Sequence, residues 1–187
     1  MLESLRNIDF RFLQIATDFA NSSPLMVKIS SFLAGGLILL FPLVLYILWL
    51  RPEHRGRVHG AQKTVMMSIV AVVLTFAIKS IFSLFWWRQR PFLTHPEIFH
   101  MNLQVDPISF PSGHTMLAFS IAVSLILGGY KRLGNTLLFL ACLVGLGRVL
   151  VGVHYPSDVI AGAIVGSLVA WYIHREASSI RRYLPNH

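Results

Sequence analysis

From Ile29 to Leu50 the chain runs for 22 residues without a charged side chain. At about 1.5 Å of rise per residue, a helix of that length crosses a hydrocarbon layer of roughly 30 Å. Backbone entering such a layer must satisfy its hydrogen bonds within the segment, which leaves the helix as the form for one apolar run of this length. The pattern then recurs. Thr64 to Trp87, interrupted by Lys79, Ser112 to Tyr130, Leu133 to about Val151 and Val159 to Ile173 are further apolar blocks separated by polar connectors. With 55% apolar and 13% charged residues in 187, and a positive mean hydropathy, the chain is expected to be all-α. The expected architecture is a polytopic membrane helix bundle of about five transmembrane helices, forming a single domain over 1–187. Uncharged cores of only 15 or 16 residues cross only if their polar flanks sit at the interface.

Residues 4 to 19 place Leu5, Ile8, Phe12, Ile15 and Phe19 at three- and four-residue spacings, with Arg6, Asp9, Arg11, Gln14 and Asp18 elsewhere on the wheel. This predicts an amphipathic helix over 1–23, lying in the interface or packed on the outside of a core formed by 24–187. The turn Asn21 to Pro24 ends it. Pro42 predicts a kink within the first span. Gly162 and Gly166 give the last span a face of small residues for close helix packing. Cys142, the one cysteine, lies in an apolar run and reads as a small buried hydrophobe.

The formal charge of +8 raises nucleic acid as a partner. The basic residues are spread between apolar blocks, however, and form no patch, so no nucleic-acid partner is expected. Arg51, Arg55, Arg57 and Lys63 in the first connector, Lys131 and Arg132 in a later one, and Arg175, Arg181 and Arg182 in the tail all fall on one face of a five-span topology. By the positive-inside rule that face is cytoplasmic. The polar segments Arg88 to Pro91, Pro111 to His114 and Arg148 to Asp158 fall together on the other.

Ionisable groups at bilayer depth are costly and mark function by default. Arg88, Arg90 and Arg148 have the planar fork that fits phosphate oxygens. Ser112 and Gly113 stand at a helix start, where free N–H groups and the macrodipole attract an anion and glycine allows close approach. His154 and Asp158, four residues apart, can pair so that the carboxylate fixes the imidazole tautomer. A zinc site from His95, His100, His114, His154 and Asp158 is the chemical rival. The neighbouring arginines favour an anion instead, so neither a metal nor any other cofactor is expected. An anion channel or transporter would use the same arginines but has no need of His154.

The segments W-R-Q-R-P at 87–91, P-S-G-H at 111–114 and G-R-V-L-V-G-V-H-Y-P-S-D at 147–158 resemble the three-part signature of the type 2 phosphatidic acid phosphatase superfamily. The resemblance covers the second to fifth spans. It implies an integral membrane lipid phosphatase in which His154 attacks phosphorus, Asp158 orients His154 and His114 protonates the leaving oxygen. Arg90, Ser112, Gly113 and Arg148 would hold the phosphoryl oxygens, and no metal takes part. Among relatives, the chain looks most similar to bacterial undecaprenyl-diphosphate phosphatases of the cytoplasmic membrane, with the site facing outward. Phosphatidylglycerophosphate, phosphatidate and lipid A phosphatases share the motifs. No obligate protein partner is implied; the partners are the bilayer and its lipid phosphates.

Two positions depart from the family pattern. The family lysine seven residues before Arg90 is Ser83 here, and the nearest lysine, Lys79, lies three helical turns before Arg90. A continuous helix would hold it roughly 16 Å away, out of reach of the same phosphate. Gly147 replaces a serine found in many members, and its expected effect is the loss of one hydroxyl. Arg88 is expected to supply charge for a second phosphate.

Overall fold

The computed structural model describes residues 2–50, 59–96 and 106–183. Its helices are α1 (Leu2–Ala20), α2 (Pro24–Ser31), α3 (Leu40–Trp49), α4 (His59–Phe85), the single turn α5 (Pro91–Thr94), α6 (Gly113–Leu127), α7 (Lys131–Leu150) and α8 (Pro156–Tyr183). Four segments are long and apolar enough to cross a membrane: Pro24–Trp49, Gly60–Phe85, Lys131–Leu150 and Pro156–Ala177.

The first span begins five residues earlier than its charge-free run. Ser23 caps it, its Oγ accepting from the Met26 N–H at 3.3 Å, and Pro24 takes the first turn, where a missing N–H costs nothing. Pro42 has no N–H for the carbonyl one turn before it, and its ring crowds that carbonyl. The distortion accordingly falls upstream of Pro42. Phe32–Gly36 widens into a π turn, Leu37–Leu39 tightens into a 3-10 turn, and regular helix resumes at Leu40.

The remaining predicted span corresponds to α6, a shorter apolar helix whose 15 residues reach only about 22 Å and which sits at the centre of the bundle. Gly113, Thr115, Met116, Ala118, Ser120, Ile121, Ala122, Ser124 and Leu125 are all buried, and α4, α7 and α8 pack around it. Gly162 and Gly166 bring α8 against α6 as their spacing predicts. A Cβ on Gly166 would lie 2.4 Å from the Met116 carbonyl oxygen, and one on Gly162 would lie 2.8 Å from that of Ser112. At the opposite end the Thr64 hydroxyl reaches the Gly128 carbonyl, so α4 and α6 run antiparallel.

α1 packs against α2, α7 and α8, burying Leu13, Thr17 and Ala20. Its predicted apolar stripe faces away from the bundle, with Ile8, Phe12, Ile15 and Phe19 all exposed. The helix therefore has three faces: one against the protein, one apolar, and one polar with Arg11 and Asp18. Cys142 corrects its sequence reading, since it lies on the exposed face of α7. A small apolar side chain is as acceptable against lipid as in a core.

Candidate active site

α4 ends at Phe85 and the next residues turn back, so that Gln89 pairs antiparallel with Ile108. Two backbone bonds flank the pair, from the Arg90 N–H to the Pro107 carbonyl at 3.2 Å and from the Ser109 N–H to the Arg88 carbonyl at 2.8 Å. This short ribbon carries Arg88 and Arg90 on one strand and Asp106 and Ser109 on the other. After α7, Gly152 takes φ of 71°, a left-handed turn that glycine adopts without strain, and the chain reverses to present His154. α8 then starts at Pro156, placing Asp158 in its first turn. The Ser112 N–H donates to the Asp158 carbonyl at 3.1 Å, which ties the start of α6 to the start of α8.

All seven residues singled out by sequence, His114, His154, Asp158, Arg90, Ser112, Gly113 and Arg148, meet at this end of the bundle. Arg90 is buried. It donates from Nε to the Asp106 carbonyl at 2.5 Å, from Nη2 to Asp106 Oδ2 at 3.2 Å, and from Nη1 to the Val153 carbonyl at 3.2 Å. Its Nη1 also lies 3.0 Å from His154 Nε2. A guanidinium can only donate, so Nε2 holds a lone pair and the ring proton sits on Nδ1. That proton faces Ser109 Oγ at 3.4 Å and Asp158 Oδ2 at 3.7 Å. The second distance exceeds a hydrogen bond. Ser109 completes the link, accepting from the ring and donating to Asp158 Oδ2. The Tyr155 N–H donates to the same carboxylate oxygen at 2.9 Å. Burial lowers the His154 pKa to about 4, with the charges of Arg90 and Arg148 acting in the same direction and Asp158 opposing them. The ring is neutral at pH 7.

Arg148 is buried in the last turn of α7. Its Nη1 donates to the Ala34 carbonyl at 3.3 Å, and its Nε finds no partner among the described residues. A buried cation without a carboxylate in contact is expensive unless an anion visits. The Ala34 carbonyl lies in the π turn of the first span. Gly147 lets α7 come this close: a Cβ there would lie 2.5 Å from the Ala34 nitrogen and 2.6 Å from the Leu33 carbonyl carbon. The expectation of a merely missing hydroxyl is therefore wrong, because a side chain at 147 would strike backbone.

Lys79 also corrects its sequence reading. The helix connecting it to Arg90 stops at Phe85, and the chain folds back instead of rising further. Lys79 Nζ is 3.4 Å from Asp106 Oδ2, the oxygen that Arg90 holds, and 3.7 Å from where a Cβ on Gly113 would be. Burial works against ionisation of Asp106, but Lys79 and Arg90 hold its carboxyl below the usual range. His114 feels the charges of Arg148, Arg90 and Lys79 and the ring of His154. Ser112 is at the N-cap of α6 without bonding its backbone; its Oγ accepts from the Thr115 hydroxyl at 3.0 Å. Arg90, Arg148 and Lys79 thus face the half-exposed Asp106 carboxylate, and with Arg88 set against Asp9 and Asp158 the cluster still keeps a net positive charge, suited to a phosphate.

Arg88, by contrast, is fully engaged. Its Nη1 donates to Ser157 Oγ at 2.7 Å and Asp158 Oδ1 at 2.8 Å, its Nη2 donates to Asp9 Oδ2 at 2.6 Å, and its guanidinium lies 3.8 Å over the Tyr155 ring. The charge expected to meet a second phosphate is already neutralised by two carboxylates. Of the rival zinc ligands, His95 stacks on Phe10, His100 lies outside the described residues, and the described residues contain no cluster of three metal-ligating side chains.

Residues 64–181 match the model of the PAP2 superfamily. The chain is 33% identical to the bacitracin transport permease protein BcrC of Bacillus licheniformis over 89% of its own length and 78% of that protein's. It is 25% identical to the undecaprenyl-diphosphatase BcrC of Bacillus subtilis over 84% and 78%. The crystal structure of a transmembrane PAP2-type phosphatidylglycerolphosphate phosphatase from Bacillus subtilis shares the fold, with a TM-score of 0.62 at 22% identity over 97% of this chain and 90% of that one. The convergence of the three motif segments and the family match from α4 to α8 lead to one conclusion: the chain belongs to the PAP2 superfamily and is a multi-pass membrane lipid phosphatase.

Proposed function

We propose that the protein removes the terminal phosphate of a polyprenyl diphosphate, yielding the monophosphate and inorganic phosphate. The observation that carries the chemistry is the His154 ring, neutral, with its Nε2 lone pair 3.0 Å from the Arg90 guanidinium. A phosphate bound to Arg90 brings phosphorus up to that nitrogen. Nε2 then forms a bond to phosphorus as the bridging P–O bond breaks, and the leaving oxygen takes a proton from His114. The arriving dianion supplies the negative partner that lets His114 carry this proton. Water, deprotonated by His114, then cleaves the phosphohistidine. Asp158 and Ser109 stabilise the imidazolium character that develops at Nδ1. Arg90, Arg148, Lys79, Ser112 and the backbone at Gly113 hold the equatorial oxygens, so catalysis rests on charge and position without a metal.

The preference for a diphosphate rests on the surplus of cations, in which Lys79 takes the part first given to Arg88. It is supported by the activity named for the Bacillus subtilis relative. On this reading the site faces the exterior, because Lys63, Lys131 and Arg132 lie at the opposite end of the bundle, where Thr64 meets Gly128. The test is phosphate release in detergent from undecaprenyl diphosphate, phosphatidylglycerophosphate, phosphatidate and lipid A, with His154→Ala beside the wild type. Loss of turnover in His154→Ala and a higher kcat/KM for the diphosphate are expected. A tenfold preference for a monoester, about 1.4 kcal/mol in transition-state binding, rejects the substrate. Wild-type turnover by His154→Ala rejects the phosphohistidine mechanism, whereas turnover of none of the four lipids by the wild type favours an anion conductor.

A further inference from the structure

The family match begins at residue 64, yet a carboxylate from α1, far upstream, reaches the motif residues. Asp9 Oδ2 accepts from Arg88 Nη2 at 2.6 Å and from the Ser157 hydroxyl at 2.5 Å, while Oδ1 accepts from the Ser157 N–H at 2.9 Å. Ser157 is the second residue of α8, so Asp9 satisfies one of the unpaired N–H groups at that helix start, where the dipole also favours a negative charge. Arg88 uses its other terminal nitrogen on Asp158 Oδ1. The guanidinium is a flat spacer between two carboxylates, held against the Tyr155 ring. Without Asp9, Arg88 keeps one carboxylate partner and loses the contact that sets its angle, and the turn from His154 to Asp158 loses its tie to α1.

We propose that Asp9 is a positioning residue for phosphoryl transfer: through Arg88 it sets the orientation of Asp158, and through Ser157 it fixes the turn that presents His154. The inference rests on the reading of His154 as nucleophile. It makes α1 part of the catalytic unit, and it commits Arg88 to Asp158 instead of to substrate.

The experiment uses full-length protein in detergent with undecaprenyl diphosphate and phosphatidate. In Asp9→Asn, kcat is expected to fall about tenfold, the scale on which outer partners of functional histidines act, with KM within about twofold. Asp9→Glu restores most of the loss. Arg88→Gln combined with Asp9→Asn is slowed by less than the product of the two single effects, since the two share the Arg88–Asp9 contact and only the bonds from Asp9 to Ser157 are lost in addition. A readout independent of turnover is the imidazole 15N spectrum of His154, assigned by its disappearance in His154→Ala. The wild type shows the single Nδ1-protonated form, and Asp9→Asn shows a mixture. Unchanged kcat with an unchanged tautomer in folded Asp9→Asn overturns the proposal. A raised KM with intact kcat also overturns it, by making Arg88 a substrate ligand. If the wild type turns over neither lipid but the tautomer still shifts, positioning stands and the substrate assignment falls. If neither is seen, both fall.

Discussion

Gly147→Ser restores the residue common in the family, and in this chain it is expected to be damaging. The added Cβ starts 2.5 Å from the Ala34 nitrogen and 2.6 Å from the Leu33 carbonyl carbon, both backbone atoms that no rotamer change can move. Ordinary contact begins near 3.4 Å, so α7 and the π turn of the first span must separate by about 0.9 Å. Overpacking of this kind costs about 1–3 kcal/mol. The same separation stretches the bond from Arg148 Nη1 to the Ala34 carbonyl, already 3.3 Å, beyond hydrogen-bonding reach. Arg148 then loses the contact that aims it, and a displacement near 1 Å at a charge-stabilising group costs up to about 100-fold in rate. The assay is kcat/KM for lipid phosphate together with thermal inactivation in detergent, with Gly147→Ala as the smaller perturbation. Both variants should lose stability, and both should lose activity in proportion to the displacement of Arg148. A Gly147→Ser protein with wild-type stability and turnover would falsify the reasoning, because it would mean that the first span does not hold Arg148.

Two further outcomes follow from the charges. The His154 ring, titrated by NMR in the unliganded protein, should have its midpoint near 4 and not at the ordinary 6.5. Because the folded pKa lies below the unfolded one, the protein loses stability as pH falls through the window from 6.5 to about 4; a midpoint at or above 6.5 would remove the argument for a neutral nucleophile. Asp106→Asn frees Lys79 and Arg90 from a half-exposed carboxylate. Inhibition by vanadate, a phosphate mimic, should tighten by about fivefold, the range of an exposed ion pair, and unchanged or weaker inhibition would show that Asp106 does not compete with the anion.

The sequence showed what depends on local spacing. The four long apolar helices and the small-residue face at Gly162 and Gly166 follow from hydropathy and periodicity within short windows, and the seven candidate site residues lie in short motif segments that the family resemblance singles out. What it hid depends on where the chain turns and on what comes to meet it. By sequence Lys79 lies out of reach because nothing after it announces a helix end: Phe85, Trp86 and Trp87 are neither proline nor glycine, and the fold-back is set by pairing with residues 107–109. Asp9 and Ser109 carry no motif, and only tertiary contact puts them on Arg88 and Asp158. Ser109 stands two residues before Pro111-Ser112-Gly113-His114, a signal too slight to use alone. Gly147 looked like a deletion because its reason, the backbone of Leu33 and Ala34, lies more than a hundred residues away. Pro42 gave the fact of a distortion but not its place, since proline disturbs the turn before it.

The π turn at Phe32–Gly36 bears on the order in which the protein is made. Chains emerge from the N-terminus and fold as they are synthesised. The first span, with the Ala34 carbonyl in its π turn, is thus available well before Arg148 leaves the ribosome. An arginine entering the membrane costs about 2.5–3.5 kcal/mol at mid-span, and less near an end or beside an acceptor. Arg148, at the end of α7, arrives to a waiting oxygen. A chain synthesised without residues 1–58 would carry every motif yet deliver this arginine to a place where nothing receives it.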